Sequence, residues 1–263
     1  MYKRQGYVNR WVRTPKFERE IELGRGLSLD ININSETGQI ESNRRNGVAN
    51  THILAHGDHL VALEEGSHPF SVDPQTLVSE GYGHYADGIK GAMTAHPKID
   101  PETGELHGFG YMTDHFGSNT MTYHVIDRNG RMLRSDVFDA PYAAMVHDFM
   151  ITRDFVIFPL FPLTCDLDRV AQFGFPFAFD RSVGAYIGVL KRGAPMSSIR
   201  WLEAPVCYVF HYLNAWNEGS KVTFDSVDFP VAPNFPSSDG SIPAHADACL
   251  LYTSPSPRDS SKS

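Results

Sequence analysis

Three histidines stand where their side chains could do metal chemistry. His147 opens the apolar run from Met145 to Leu160, His96 stands in Met-Thr-Ala-His-Pro-Lys, and His211 lies in Val-Cys-Tyr-Val-Phe-His-Tyr-Leu-Asn-Ala-Trp. A single histidine among strand formers is usually a core residue satisfied by one hydrogen bond. Three together point elsewhere, because neutral imidazole is the commonest metal ligand and several converging rings make a site. Their separations of 51 and 64 residues exclude a zinc finger or a helix-borne motif, so the ligands must come from separate sheets. An all-imidazole set is neutral and leaves a divalent ion its full charge, which suits iron(II) and zinc(II) alike. A carboxylate is expected behind such ligands to hold a ring by its other N–H, and Glu64 and Glu65, just after Leu60 to Leu63, are the candidates.

The elements that must carry these residues read as β-strands. A period of two sets Cys207, Val209, His211 and Leu213 on one face and Tyr208, Phe210 and Tyr212 on the other, so His211 is expected to project from a rigid strand. His147 occupies the equivalent place at a strand start, and Pro97 biases His96 towards extended backbone. Turn signals at Asn34–Gly38, His56-Gly57-Asp58, Asp100–Gly104 and Asp127–Gly130 separate runs of β-branched and aromatic residues at hairpin spacing. Gly (22) and Pro (17) punctuate nearly every stretch, and helical periodicity is poor. The fold class is therefore all-β, as a sandwich, barrel or propeller. His52, His56 and His59 flank a hairpin tip and are assigned to the surface. The alternating rings of Phe173 to Phe179 are assigned to core packing in preference to a ligand wall.

Composition narrows the class. A chain of 263 residues with 41% hydrophobic content can bury a substantial core in one large β domain or two smaller ones. A net charge of −8 with scattered Lys and Arg argues against nucleic acid as a partner. Three cysteines, Cys165, Cys207 and Cys249, do not make a disulfide framework and suit a reducing compartment. No apolar segment follows the basic N-terminus and no run approaches the ~18 apolar residues of a spanning helix, so the expected location is cytoplasmic. Peripheral membrane contact through Phe158 and Phe161 is the minority reading, with core placement expected. Gly-x-Ser-x-Gly, Walker and His-Glu-x-x-His motifs are absent. Residues 251–263, rich in Ser and Pro, are expected to be disordered and foreign to the gene, leaving residues 1–250 as the folded part.

An ordered set of short stretches gives a sharper expectation. Asn50-Thr51-His52-Ile53, Leu63-Glu64-Glu65-Gly66, Asp73 to Leu77 followed by Gly81, Thr94-Ala95-His96-Pro97-Lys98, Asp100 to Glu105, His147-Asp148-Phe149, and Phe210-His211 with Asn214-Ala215 together resemble the carotenoid cleavage oxygenases. That family also includes lignostilbene dioxygenases and the retinoid isomerase. The resemblance implies a seven-bladed β-propeller with one iron(II) on its axis held by four histidines. His96, His147 and His211 match the first three by motif, and Glu65 matches a glutamate that bonds a ligand histidine. The fourth has no counterpart, since His245 lacks its context, so the chain is expected to be an incomplete propeller, unstable and largely inactive by itself. The implied reaction is oxidative cleavage of a carbon–carbon double bond in an apolar alkene by O₂. A stilbenoid-cleaving branch carries lysine where this chain has Glu64, which favours a carotenoid or apocarotenoid over a stilbenoid. Readings of other classes are a non-catalytic propeller that binds isoprenoid or lipid, and a zinc hydrolase built on the three histidines.

Overall fold

The structure, a computed structural model, describes residues 7–27, 32–33, 40–41, 44–169 and 176–242. The turn at residues 34–38, Phe173 to Phe175, Cys249, His245 and the tail from 251 lie outside them. Among the described residues the one complete α-helix is α1 (Pro15–Leu23), which the sequence reading missed. Thr14 caps it by accepting from the Phe17 N–H, Pro15 opens it, and Gly24 closes it at φ 63°. None of its residues is buried, so its nine residues carry no core-facing stripe long enough to be read as a period.

The strands of the described residues pair antiparallel in every sheet. A ribbon of β1 (Asn32–Ile33) and β2 (Ile40–Glu41) precedes a four-stranded meander of β3 (His52–His56), β4 (His59–Leu63), β5 (Phe70–Val72) and β6 (Ser79–Tyr82). A second meander runs β7 (Lys98–Ile99), β8 (Leu106–Tyr111), β9 (Thr120–Ile126) and β10 (Met132–Asp139). The third is formed by β11 (Met150–Ile151), β12 (Phe155–Leu160), β15 (Ala185–Lys191) and β16 (Arg200–Ala204), with a ribbon of β13 (Leu163–Cys165) and β14 (Phe177–Phe179) inserted between its second and third strands. A two-stranded sheet, β17 (Tyr212–Glu218) and β18 (Lys221–Ser226), follows.

The three four-stranded sheets pack in succession, and the core lies in the wedges between them. Val61 and Leu63 of the first sheet meet Leu106 and Ile126 of the second, and Phe109 and Tyr123 of the second meet Val156 and Phe158 of the third. The middle strands β8 and β12 are buried along nearly their whole length, which explains the unbroken apolar run of β12, whereas the outermost β10 and β16 have no buried residue. Phe158 is 0% and Phe161 7% exposed, so both belong to the core as expected. The sheets are blades of a propeller, and among the described residues they do not close into a ring.

The hairpin signals fall where the turns form. Gly57 and Asp58 adopt φ of 59° and 60° between β3 and β4, the backbone that Gly-Asp supplies in a two-residue turn. The surface assignment fails for His56, while His52 and His59 are partly exposed. A Cβ on Gly57 would lie 2.4 Å from the Gly130 nitrogen, so this tip is packed against the β9–β10 turn. His56 is consequently 8% exposed, bonded to the Tyr85 hydroxyl at 2.6 Å and the Gly104 carbonyl at 2.8 Å.

Candidate metal centre

The three histidines come together at the entries to the inner strands of consecutive blades. His96 stands two residues before β7, His147 three before β11, and His211 immediately before β17. One ring nitrogen from each lies within 4.8 Å of the others, and the Nε2 atoms of His96 and His147 are 3.0 Å apart. The ring centroids are separated by 4.6, 4.7 and 4.8 Å with steep interplanar angles, so the rings meet edge to face around a common point. His96 and His147 are half-buried and His211 is exposed.

Local sequence explains the delivery of each ring. Residues 91–94 cross directly over β8, where a Cβ on Gly108 would lie 2.4 Å from the Met93 sulfur and one on Gly110 2.3 Å from the Ala92 carbonyl oxygen. That close approach, locked by the Thr94 N–H to Phe109 carbonyl bond at 2.6 Å, sets His96 at the head of β7. His211 does not project from a strand as the period of two suggested. Tyr208 and Val209 are adjacent and both buried, the chain bends at Phe210, and the strand begins only at Tyr212. Burial of both Tyr208 and Val209 in the cluster formed with Phe161, Leu163, Phe179 and Ala185 overrides the alternation there.

Glu65 stands behind His147. Its Oε2 accepts from Nδ1–H at 2.8 Å and its Oε1 accepts from the Tyr111 hydroxyl at 3.0 Å. The carboxylate therefore holds the proton on Nδ1 and leaves the Nε2 lone pair of His147 pointing at His96. Burial and the adjacent His147 ring push His96 down to about 4, and burial also lowers His211, so both imidazoles are neutral at neutral pH. Three converging imidazole nitrogens are the donors a borderline divalent ion binds on displacing the proton shared between His96 and His147, and the donor set fits one. Glu64, the alternative carboxylate, is taken up by its own turn through the Gly66 N–H at 2.9 Å. Sequence reasoning missed Tyr111 and also His52, whose Nδ1 lies 2.8 Å from the carbonyl oxygen of Ala95, next to His96. Tyr111 is 46 residues from Glu65 and reads as an ordinary strand ring, so no local signal marks it.

Comparison with known proteins decides the family. Residues 3–258 match the model of the RPE65 family, described as retinal pigment epithelial membrane protein. The chain belongs to this family. Among its RPE65-family relatives, isoeugenol monooxygenase of Pseudomonas putida is 37% identical over 235 residues, covering 88% of this chain and 49% of that protein. Carotenoid cleavage oxygenase 1 of Neurospora crassa is 40% identical over 224 residues, covering 82% of this chain and 42% of that protein. The crystal structure of a lignostilbene dioxygenase from Pseudomonas brassicacearum matches with a TM-score of 0.77 at 32% identity, covering 89% of this chain and 49% of that one. The chain spans about half the length of the curated relatives it matches.

Proposed function

We propose that the protein carrying this chain is a non-haem iron(II) dioxygenase that cleaves a carbon–carbon double bond of a carotenoid or apocarotenoid, with O₂, into two carbonyl products. The observation that carries this reading is the meeting of the His96, His147 and His211 nitrogens, with Glu65 fixing the tautomer of His147. Relatives named for isoeugenol, carotenoid and lignostilbene support it, since all three names denote substrates with a conjugated alkene. Glu64 supports the carotenoid class, because it stands where the stilbenoid-cleaving branch carries a lysine that would pair with a phenolate.

His96, His147 and His211 would hold the iron, which when bound supplies the activation of triplet dioxygen that closed-shell protein side chains cannot. The chain's own contribution is placement and charge. Three neutral imidazoles leave the ion its full charge, Glu65 keeps the Nδ1 proton of His147 in place, and Tyr111 donates to Glu65 and orients it. Both oxygen atoms of O₂ are accounted for, one in each carbonyl.

The test is made on the full-length protein purified without oxygen, with His96→Ala, His147→Ala and His211→Ala beside it. About one iron per chain, lost in each variant, and O₂ uptake with two carbonyl products from an apocarotenoid are expected. A protein that binds no metal yet retains an isoprenoid would be a binding propeller. Hydrolysis without O₂ in a zinc-loaded protein would replace the oxygenase reading.

A further inference from the structure

Glu65 anchors one histidine, yet the three sit on separate blades and must be held mutually to within about 0.5 Å for their lone pairs to meet at one ion. A single buried carboxylate touches all three segments. Asp148, 3% exposed in its side chain, directly follows His147. Its Oδ1 lies 2.7 Å from Nζ of Lys98, two residues after His96, and its Oδ2 accepts from the backbone N–H of Tyr212 at 3.2 Å, the residue after His211. Oδ1 also accepts from the Phe149 N–H at 2.8 Å, and the Lys98 ammonium lies 6.0 Å from the centre of the Phe149 ring.

We propose that Asp148, with Lys98 as its counter-charge, is a positioning residue that sets the mutual placement of His96, His147 and His211 for one metal ion. The proposal rests on the metal reading above and adds what sets the geometry of that site. Both oxygens of Asp148 are used, and each of the three links ends within two residues of a different histidine. An ion pair serving stability alone has no need of that coincidence. The Arg192–Asp100 pair, which joins the second and third blades, provides the contrast, because its guanidinium bonds Asp100, Glu105, His107 and the Thr152 and Arg153 carbonyls, none within two residues of His96, His147 or His211.

Cobalt(II) is the probe, added to the metal-free full-length protein, because its visible bands report coordination geometry independently of turnover. Asp148→Asn and Lys98→Met are expected to weaken cobalt affinity about tenfold or more and to change the intensity of those bands, with Lys98→Arg restoring both in part. Asp100→Asn should lower the melting temperature and leave affinity and bands unchanged. The proposal is overturned if Asp148→Asn and Lys98→Met lower only the melting temperature, as Asp100→Asn does. Should Asp148→Asn fail to fold, Lys98→Met decides alone. Absence of cobalt binding by the unaltered protein would instead remove the metal reading itself, and this proposal with it.

Discussion

Glu65 shows how much one acceptor can decide. Glutamine in its place could still accept from the Nδ1–H of His147 but would carry no charge, and the ring would lose the electron donation that raises its basicity. Glu65→Gln is expected to reduce metal affinity about 10- to 100-fold with little change in the fold, measured by competition with a chelator. Tyr111 belongs to the same chain of bonds. Burial and the Glu65 charge push its hydroxyl well above the ordinary tyrosine value, so it remains a donor throughout the working pH range. At this scale the sequence was informative for Glu65, which has a motif around it, and silent for Tyr111, whose role exists only because β8 ends beside that carboxylate.

Elements position the site through close backbone approach and through the joints between blades. Gly110 has no room for a methyl group, since the atoms it would meet are the Ala92 carbonyl carbon and oxygen at 2.9 and 2.3 Å. Gly110→Ala should destabilise by about 1–3 kcal/mol and loosen metal binding, because the displaced segment leads to His96. A melting curve taken with and without metal separates the two effects. The joint between the second and third blades rests on Arg192, 17% exposed in its side chain, with Asp100 only 9% exposed. Arg192→Met strands the Asp100 carboxylate and is expected to cost about 3 kcal/mol, read as a lower denaturation midpoint. Strand and turn positions were legible because alternation and Gly-containing turns are local. The local pattern failed at His211, where burial of both Tyr208 and Val209 is imposed by β13, β14 and their surroundings.

For the whole molecule, two histidines away from the candidate site couple stability to acid. His107 and His124 are 2% and 0% exposed, and burial lowers each to about 4, with Arg192 adding to the effect at His107. Their folded values lie below the unfolded one, so the unfolded chain takes up protons that the folded chain refuses as pH falls from about 6.5 to about 4. Stability should be flat above pH 7 and decline through that window by up to about 3 kcal/mol for each ring. Denaturant midpoints of the metal-free protein at a series of pH values check this, and a midpoint that does not move between pH 7 and 4.5 would contradict it. Among the described residues no helix is long and apolar enough to cross a membrane.

The sequence by itself determined the all-β class, most hairpin positions, and which histidines and which glutamate to watch, because strand alternation, turn chemistry and short motifs are written in neighbouring residues. Only the tertiary structure decided that His96, His147 and His211 share one point, that His56 is buried, and that Asp148 touches all three histidine segments. Those facts depend on contacts between residues tens of positions apart, formed when blades stack and their inner strands converge, and no local pattern encodes a distance across a wedge between sheets.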